Sequence, residues 1–448
     1  MHGKTVLIFL LAMIVLLGMV ACSGSGQKPP VDDPSNDAEA PPSDEKEDPT
    51  PDDQKPDNEG GEELPPPPPG FIFTEETVIV CSSVYDEYVE RAVTLLQYEI
   101  KQATGLSLSI VSDKTVPTEK EIIVGFCDRL DPDGTSAPAF LQDGDLIFAL
   151  KDTAELYCLV RVFVEKYLSS DAVNVTEEML AQLAAEPTAY DSRIRILTQN
   201  LRYANDADGN SVAERSARFA ALMQAYMPDI VGTQEATPLW TQYLEEHFSD
   251  EYERVGVFRD GTGHSDDEAN YILFRKDRFS LEESGTFWLT DEPKEIGKVE
   301  GALCNRICTW ALLKDLQTGE KIFVCNTHLD HSNDDIRSAQ LKVLLDYIAL
   351  DIKSYPVLMT GDFNALRTSA PYKSIQKAGL YDGEKKAWLP DSDVNHTCHL
   401  YRGWGETIDY CFYNKFWTPI YARIVSDDYG GYVSDHYGVV VDFVRFGS

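Results

Sequence analysis

The chain is short of positive charge. Its 448 residues carry 39 Lys and Arg against 75 Asp and Glu, a formal net charge of −36. Such a chain has no overall field that gathers nucleic acid or an anionic membrane, although a local basic patch overrides the average. Long apolar runs are scarce too. The longest, residues 6–17, is too short for a confident membrane-spanning helix. Cysteine is sparse, and none of the nine sits at zinc-ligand spacing. Cys158, Cys325 and Cys411 lie inside apolar periodic segments and read as small buried hydrophobes. Cys304 and Cys308 read as a bridge or a loose thiol pair. What remains is globular in composition, 43% hydrophobic, and long enough for two or three domains.

At the N-terminus Lys4 precedes the apolar run, and "MVAC" (Met19, Val20, Ala21, Cys22) follows it, ahead of a Ser/Gly stretch. This resembles a bacterial lipoprotein signal over residues 1–22. The resemblance implies lipidation of Cys22 and an exported protein held on the outer face of the cell membrane or the outer membrane, where disulfides are permitted. Residues 23–70 are Pro, Asp, Glu, Ser and Gly, ending in "PPPPPG". They have too little to bury to offset their ordering entropy and read as a disordered tether.

Residues 71–187 read as a small α/β domain of order β-α-β-β-β-α. A helix over 85–104 carries Val89, Val93, Leu96 and Ile100 on one face and stops at Gly105. Another, opened by Asp152, carries a stripe from Leu156 to Tyr167. "LLQYEIKQATGLSLSIV" followed by "EIIVG" resembles the small domain that accompanies several bacterial glycoside hydrolases. It gathers no convergent polar residues and is expected to be accessory. Residues 191–448 form the second domain, with ten strand-like segments and helices between some of them. Ser211 and Glu214 make a capping box, and residues 334–352 a strong amphipathic helix. The pattern predicts two packed sheets flanked by helices.

The polar residues of this domain collect at strand ends. "ILTQN" ends at Asn200, "VGTQE" at Glu235, "VCNTH" at Asn326 and His328, and "LMTGDFN" at Asp362 and Asn364. "TIDY" holds Asp409, and "SDH" places Asp435 and His436 before the last strand. One strand ending in Asp is an ordinary turn signal; six together require a common cause. A buried carboxylate needs a compensating charge, and hard oxygen donors with two histidines suit Mg²⁺, or Mn²⁺ or Ca²⁺.

Together "DIVGTQE", "NTHLDH", "GDFNA", "IDY" and "SDH", with Asn200, resemble the endonuclease/exonuclease/phosphatase superfamily, in its secreted bacterial branch. The resemblance implies a four-layered α/β/β/α sandwich and a divalent-metal-dependent phosphoesterase that drives water in line onto phosphorus. It places Glu235, Asn200 and Asp435 at the metal. Asp362 and Asn364 orient water and phosphate, Asp409 pairs with His436, and His328 is the second catalytic histidine with Glu268 as its partner. Asn200, Arg202, Arg306, Asn326 and His399 become candidate substrate contacts. Arg306 stands in an "R-I-x-T-W" pattern, while "TCHL" stands where that branch often has "TFHG", with Cys398 for the aromatic and Leu400 for the glycine. His331 is expected to support the site rather than to catalyse.

The shared residues specify phosphoester cleavage and leave the leaving group open. The loops "SDDEAN", "DSDVN" and "SDDYGG" are acidic, against tight duplex binding. Trp404, Tyr429 and Tyr432 are candidates to flank a small pocket. The favoured substrate is a small phosphorylated metabolite, sugar or lipid head group. The alternatives are an extracellular nuclease and a catalytically inactive surface module.

Overall fold

The computed structural model describes residues 70–130, 137–168, 174–185 and 193–445. Cys22, the signal segment and the tether before Gly70 lie outside them. Among the described residues no helix is long and apolar enough to cross a membrane.

Two large sheets face each other. The first runs in the order Tyr252–Val255, Ala269–Arg275, Ile230–Ala236, Ile194–Asn200, Gly438–Val444, Thr418–Val425 and Leu389–Pro390. The second runs Phe279–Trp288, Ile307–Asp315, Lys321–His328, Val357–Asp362, Asp409–Tyr413 and Tyr381–Asp382. Side chains alternate along a strand, so each strand feeds two cores. Ile194, Ile196, Ile230 and Ile272 meet Ala311, Leu313, Val324 and Leu358 between the sheets. Leu197 and Val231 turn outward under helices Val212–Tyr226 and Pro238–Phe248. Cys325, Val357 and Met359 turn outward to pack with Leu341, Leu344, Tyr372 and Ile375 of helices Asp334–Tyr347 and Ala370–Lys377. The result is the helix/sheet/sheet/helix sandwich expected from the sequence.

Towards one end the inter-sheet stripe turns polar without losing its period. Asn326 gives its amide hydrogens to the Thr233 and Tyr271 carbonyls and accepts from Gln234 Nε2 at 2.8 Å and Thr360 Oγ1 at 3.1 Å. Every capacity of this fully buried amide is used inside the sandwich. Asn326 therefore stitches the two sheets and is not a substrate contact, contrary to the sequence expectation. Gly232 lies opposite, where a Cβ would stand 2.0 Å from Thr360 Oγ1, so no larger residue fits this approach.

A third sheet, Ser109–Ser112, Val78–Cys81, Glu121–Val124, Asp145–Phe148 and Ala139–Gln142, carries helices Glu87–Thr104 and Thr153–Lys166 packed on each other. Asp86 and Asp152 cap these helices, and Gly105 ends the first at φ +79°. Their core continues onto Trp388, Leu389, Ile420 and Val444 of the sandwich, and the Arg161 guanidinium lies 5.1 Å from the Trp388 ring centroid. The stretch expected as one helix over 334–352 is Asp334–Tyr347 followed by a separate turn, Asp351–Ser354. All eight described cysteines are free; Cys308 is buried in its strand while Cys304 is part-exposed, so the two are not bridged.

Candidate active site

Where the polar stripe reaches the sheet ends, a cleft of about 550 Å³ opens. Three neighbouring strands supply its floor. His328 pairs in register with Asp362, and Asp362 with Asp409. Asn200 ends an adjacent strand of the first sheet, and its amide nitrogen bridges Glu235 Oε1 at 2.9 Å and Asp362 Oδ2 at 3.0 Å. Glu235 sits at φ +59°, which breaks the alternation of its strand and lets its carboxylate reach Asn200; its other oxygen accepts the Tyr203 N–H at 2.8 Å. Four of the eight non-glycine residues with positive φ among the described residues (Arg202, Glu235, Asn364 and Leu400) line this cleft, so backbone strain is concentrated here.

His436 Nδ1 lies 2.8 Å from Asp409 Oδ2, the pairing the sequence suggested. Thr397 Oγ1 donates to the same oxygen at 2.6 Å and accepts the Ile408 and Asp409 N–H groups, a support the sequence did not reveal. Burial alone disfavours an imidazolium here. The Asp409 carboxylate, with Cys398 and Asp362 adding to it, outweighs burial and holds the His436 pKa well above the ordinary value. His328 shows the opposite: burial first, then Arg306 and Arg259, push its pKa well down. Asn364 Nδ2 donates to the Leu329 carbonyl, which fixes the amide's orientation and makes His328 Nε2, 3.1 Å away, an acceptor. The proton of neutral His328 then sits on Nδ1, which is buried without a partner.

Glu268 does not fill that gap. Its carboxylate takes the Arg259 guanidinium at 2.7 Å, and burial pushes its pKa up to about 7. The expected Glu268–His328 pair is replaced because Arg259, held next to Glu268 by a backbone hydrogen bond and the Asp267-capped turn, is the stronger partner. Arg259 went unnoticed in the sequence; no periodic signal marks a lone Arg in a turn. Arg306 is 4% exposed, its Nε has no partner, and its nearest polar contact is His331 Nδ1 at 3.4 Å. It is a buried cation without an ion pair among the described residues, and His331 supports it as expected. Arg202 lines the cleft with its charge committed to Asp206 at 3.1 Å and Asp435 at 3.7 Å. It positions Asp435 and is not a free substrate contact.

His399 is a correction. Its ring packs between Tyr432 and Tyr437 at 4.8 and 4.1 Å and accepts the Tyr401 N–H, behind the cleft lining. The neighbours Cys398 and Leu400 line the cleft instead. Tyr432 lines an adjacent cavity of about 360 Å³, Tyr429 packs on the outer core, and Trp404 is exposed. Of the three acidic loops only "SDDEAN" reaches the cleft, through Asp266 and Glu268. Asp391, Asp393 and Asp427 pair with Arg423.

Asp362, Asp409 and His436 bring three ligand atoms within 4.8 Å of one another. The Asp409–His436 hydrogen bond already occupies two of them, so a cation is better met by the free oxygens beside them. Burial and then Asp409 push Asp362 up to about 7, while burial, with Glu235 adding to it, raises Asp435. Converging buried carboxylates of this kind suit a hard divalent cation, whose charge would favour their ionised forms.

The fold and this site define a class, hydrolases that move water onto phosphorus between carboxylates and basic side chains. The sequence matches the Endonuclease/Exonuclease/phosphatase family over residues 197–436, more than half of the chain, and the protein belongs to that family, whose members hydrolyse phosphoester bonds. Among solved structures, an endonuclease/exonuclease/phosphatase from Bacteroides vulgatus is 30% identical at TM-score 0.53, covering 57% of this chain and 99% of that one. A mannosyl-6-phosphatase from Bacteroides thetaiotaomicron is 28% identical at TM-score 0.52, covering 56% and 99%. Tyrosyl-DNA phosphodiesterase 2 of Danio rerio is 23% identical over 62% of this chain and 74% of its own. The Ccr4 exoribonuclease subunit of Saccharomyces cerevisiae is 25% identical over 42% of this chain, and the chain spans only 26% of that subunit.

Proposed function

We propose that the protein is a divalent-metal-dependent phosphoester hydrolase acting on small phosphorylated metabolites, with sugar phosphates foremost. The observation that carries this reading is Arg306, a buried guanidinium with no ion-paired carboxylate among the described residues, in a cleft lined by five acidic residues. A buried cation without a counter-ion is costly, and its planar fork matches a phosphate. The likeness to a mannosyl-6-phosphatase supports a sugar ester, and a cleft of about 550 Å³ has the size of a small-molecule site.

Glu235 and Asp435, with Asp362 beside them, would hold the cation. When bound, it supplies positive charge to a non-bridging and a leaving oxygen of the ester. Mg²⁺ is the favoured ion. Arg306 holds the phosphate. Asp362, steered by Asn200 and by the Asn364 N–H at 2.9 Å, accepts a proton from the attacking water. His436, kept charged by Asp409, gives its proton to the leaving oxygen, so that the alcohol departs neutral. In this reading lipidated Cys22 anchors the enzyme outside the cell, and the N-terminal sheet is accessory.

The test is hydrolysis by the full chain with Mg²⁺, read as phosphate release from mannose 6-phosphate and glycerol 3-phosphate, p-nitrophenol release from bis-p-nitrophenyl phosphate, and strand cleavage of a single-stranded RNA and supercoiled plasmid. Metal-dependent release from the monoesters, abolished in Asp362→Ala/His436→Ala, supports the reading. Turnover confined to the nucleic acids would replace it with a nuclease, in line with the likeness to the Ccr4 exoribonuclease subunit.

A further inference from the structure

The loop over residues 398–406 holds two consecutive side-chain-bearing residues in the left-handed region, Leu400 at φ +51° and Tyr401 at φ +59°. A branched residue is disfavoured there, and glycine carries no such penalty. The surroundings over-determine this backbone. The Asp435 carbonyl accepts the N–H groups of both His399 and Leu400, at 2.9 and 3.0 Å. Cys398 bridges to Glu406 and to His436, and the Tyr401 hydroxyl reaches Asp206 at 2.9 Å. The strain leaves Leu400 52% exposed on the lining of the cleft. An apolar side chain gains nothing from water, so its fold-level benefit does not explain the residue. Tyr203 also lines the cleft, 44% exposed, with its ring 5.1 Å from the Arg202 guanidinium and its N–H on Glu235. A cleft lined elsewhere mostly by charged side chains thus offers an aliphatic surface and a ring beside the acidic residues.

We propose that Leu400 and Tyr203 clamp the ring of the leaving group and make the enzyme selective for phosphate esters of a pyranose over those of short polyols. The inference rests on the phosphoesterase reading. The apolar face of a sugar ring covers both side chains while its phosphate lies on Arg306; a short polyol leaves both exposed. Leu400 and Tyr203 are specificity residues and take no part in the bond-breaking step.

The experiment compares kcat and KM of the full chain, its Leu400→Gly form and its Tyr203→Ala form. The substrates are mannose 6-phosphate and glycerol 3-phosphate, primary alkyl esters of similar intrinsic reactivity, and adenosine 5′-monophosphate. Glycine relieves the left-handed strain, so Leu400→Gly should melt no lower than the parent, and unfolding cannot explain its kinetics. The preference for mannose 6-phosphate over glycerol 3-phosphate should fall by roughly 10-fold in each variant, chiefly through KM. A preference that stays within twofold in both variants overturns the clamp and leaves the phosphoesterase reading standing. A preference lost only for adenosine 5′-monophosphate overturns the sugar assignment. A parent that cleaves none of the three removes the inference together with the reading beneath it.

Discussion

Two groups of side chains share the cleft. Glu235, Asp362, Asp409 and Asp435 form one, and Arg259, Arg306, His328 and His331 the other. In the first, burial and then the Asp409 charge push Asp362 up to about 7, and burial, with Glu235 adding to it, raises Asp435 as well. The second is unbalanced in the opposite sense. Arg259 has found Glu268, Arg306 makes no ion pair among the described residues, and His328 is driven neutral by burial and by the arginines near it. If the groups served only to neutralise each other, their charges would be paired across the cleft. Instead the acidic group is short of a cation and the basic group of an anion. A metal ion and a phosphate complete both at once.

The largest effect should come from breaking the acidic group at its proton handle. Asp409→Asn removes the charge that holds His436 protonated while keeping the shape. It should lower kcat by roughly 100- to 10,000-fold with little change in melting temperature. A loss under 10-fold in a well-folded variant would remove His436 from the reaction. His436 should then also titrate nearer the ordinary range, which its ring-proton NMR shifts can follow.

Asp409 was legible in the sequence for a physical reason that did not extend to its neighbours. Period-two alternation reports which face a residue occupies. The sequence put Asn200, His328 and Asp362 at strand ends and Asp409 within an apolar strand; the alternation seen in the folded sheets brings all four onto one inter-sheet stripe. Alternation does not report competition between partners. Arg259 against His328 for Glu268, or Tyr401 against the cleft for His399, is decided by turns whose geometry no periodicity encodes. Nor does it separate the end of a stripe from its middle, so Asn326 looked like a site residue. The strand Phe279–Trp288 was missed because its centre, Glu282–Glu283–Ser284, reads as loop; it lies at the sheet edge with those side chains in solvent.

Asn326 sharpens the comparison from the other side, because it lies in the stripe yet outside both charged groups. Asn326→Leu takes the side-chain donor away from the buried Thr233 and Tyr271 carbonyls, while Gln234 Nε2 keeps Thr198 Oγ1 and the Gly232 carbonyl. It should destabilise the fold by about 2–4 kcal/mol, read by urea denaturation. The folded fraction should keep its KM. A KM that moves while stability holds would return Asn326 to the substrate.

Arg306 tests the basic group. Arg306→Lys keeps the charge but loses the planar fork, and kcat/KM should fall by about 10- to 100-fold. Inorganic phosphate should raise the parent's melting temperature more than the variant's, because only the parent offers two parallel donors. Equal shifts would mean that the phosphate rests on Arg259 or His331.

The smallest effect lies just behind the acidic group, in His399. Burial lowers its pKa to about 3, with His436 adding to the shift, whereas an unfolded histidine titrates near 6.5. A folded pKa below the unfolded one means the unfolded chain binds the proton first. The contribution of His399 is therefore whole above about pH 6.5 and is lost progressively as pH falls towards 3. Between pH 7 and 5.5 the loss amounts to at most about 1 kcal/mol. His399→Gln has no proton to take up, so its stability should change less across that interval than the parent's, although the lost ring packing on Tyr432 and Tyr437 lowers it at every pH. Parallel curves would show that His399 is solvated and charged in the folded protein, as a residue facing the cleft would be. That outcome would restore the pocket role its sequence position suggested.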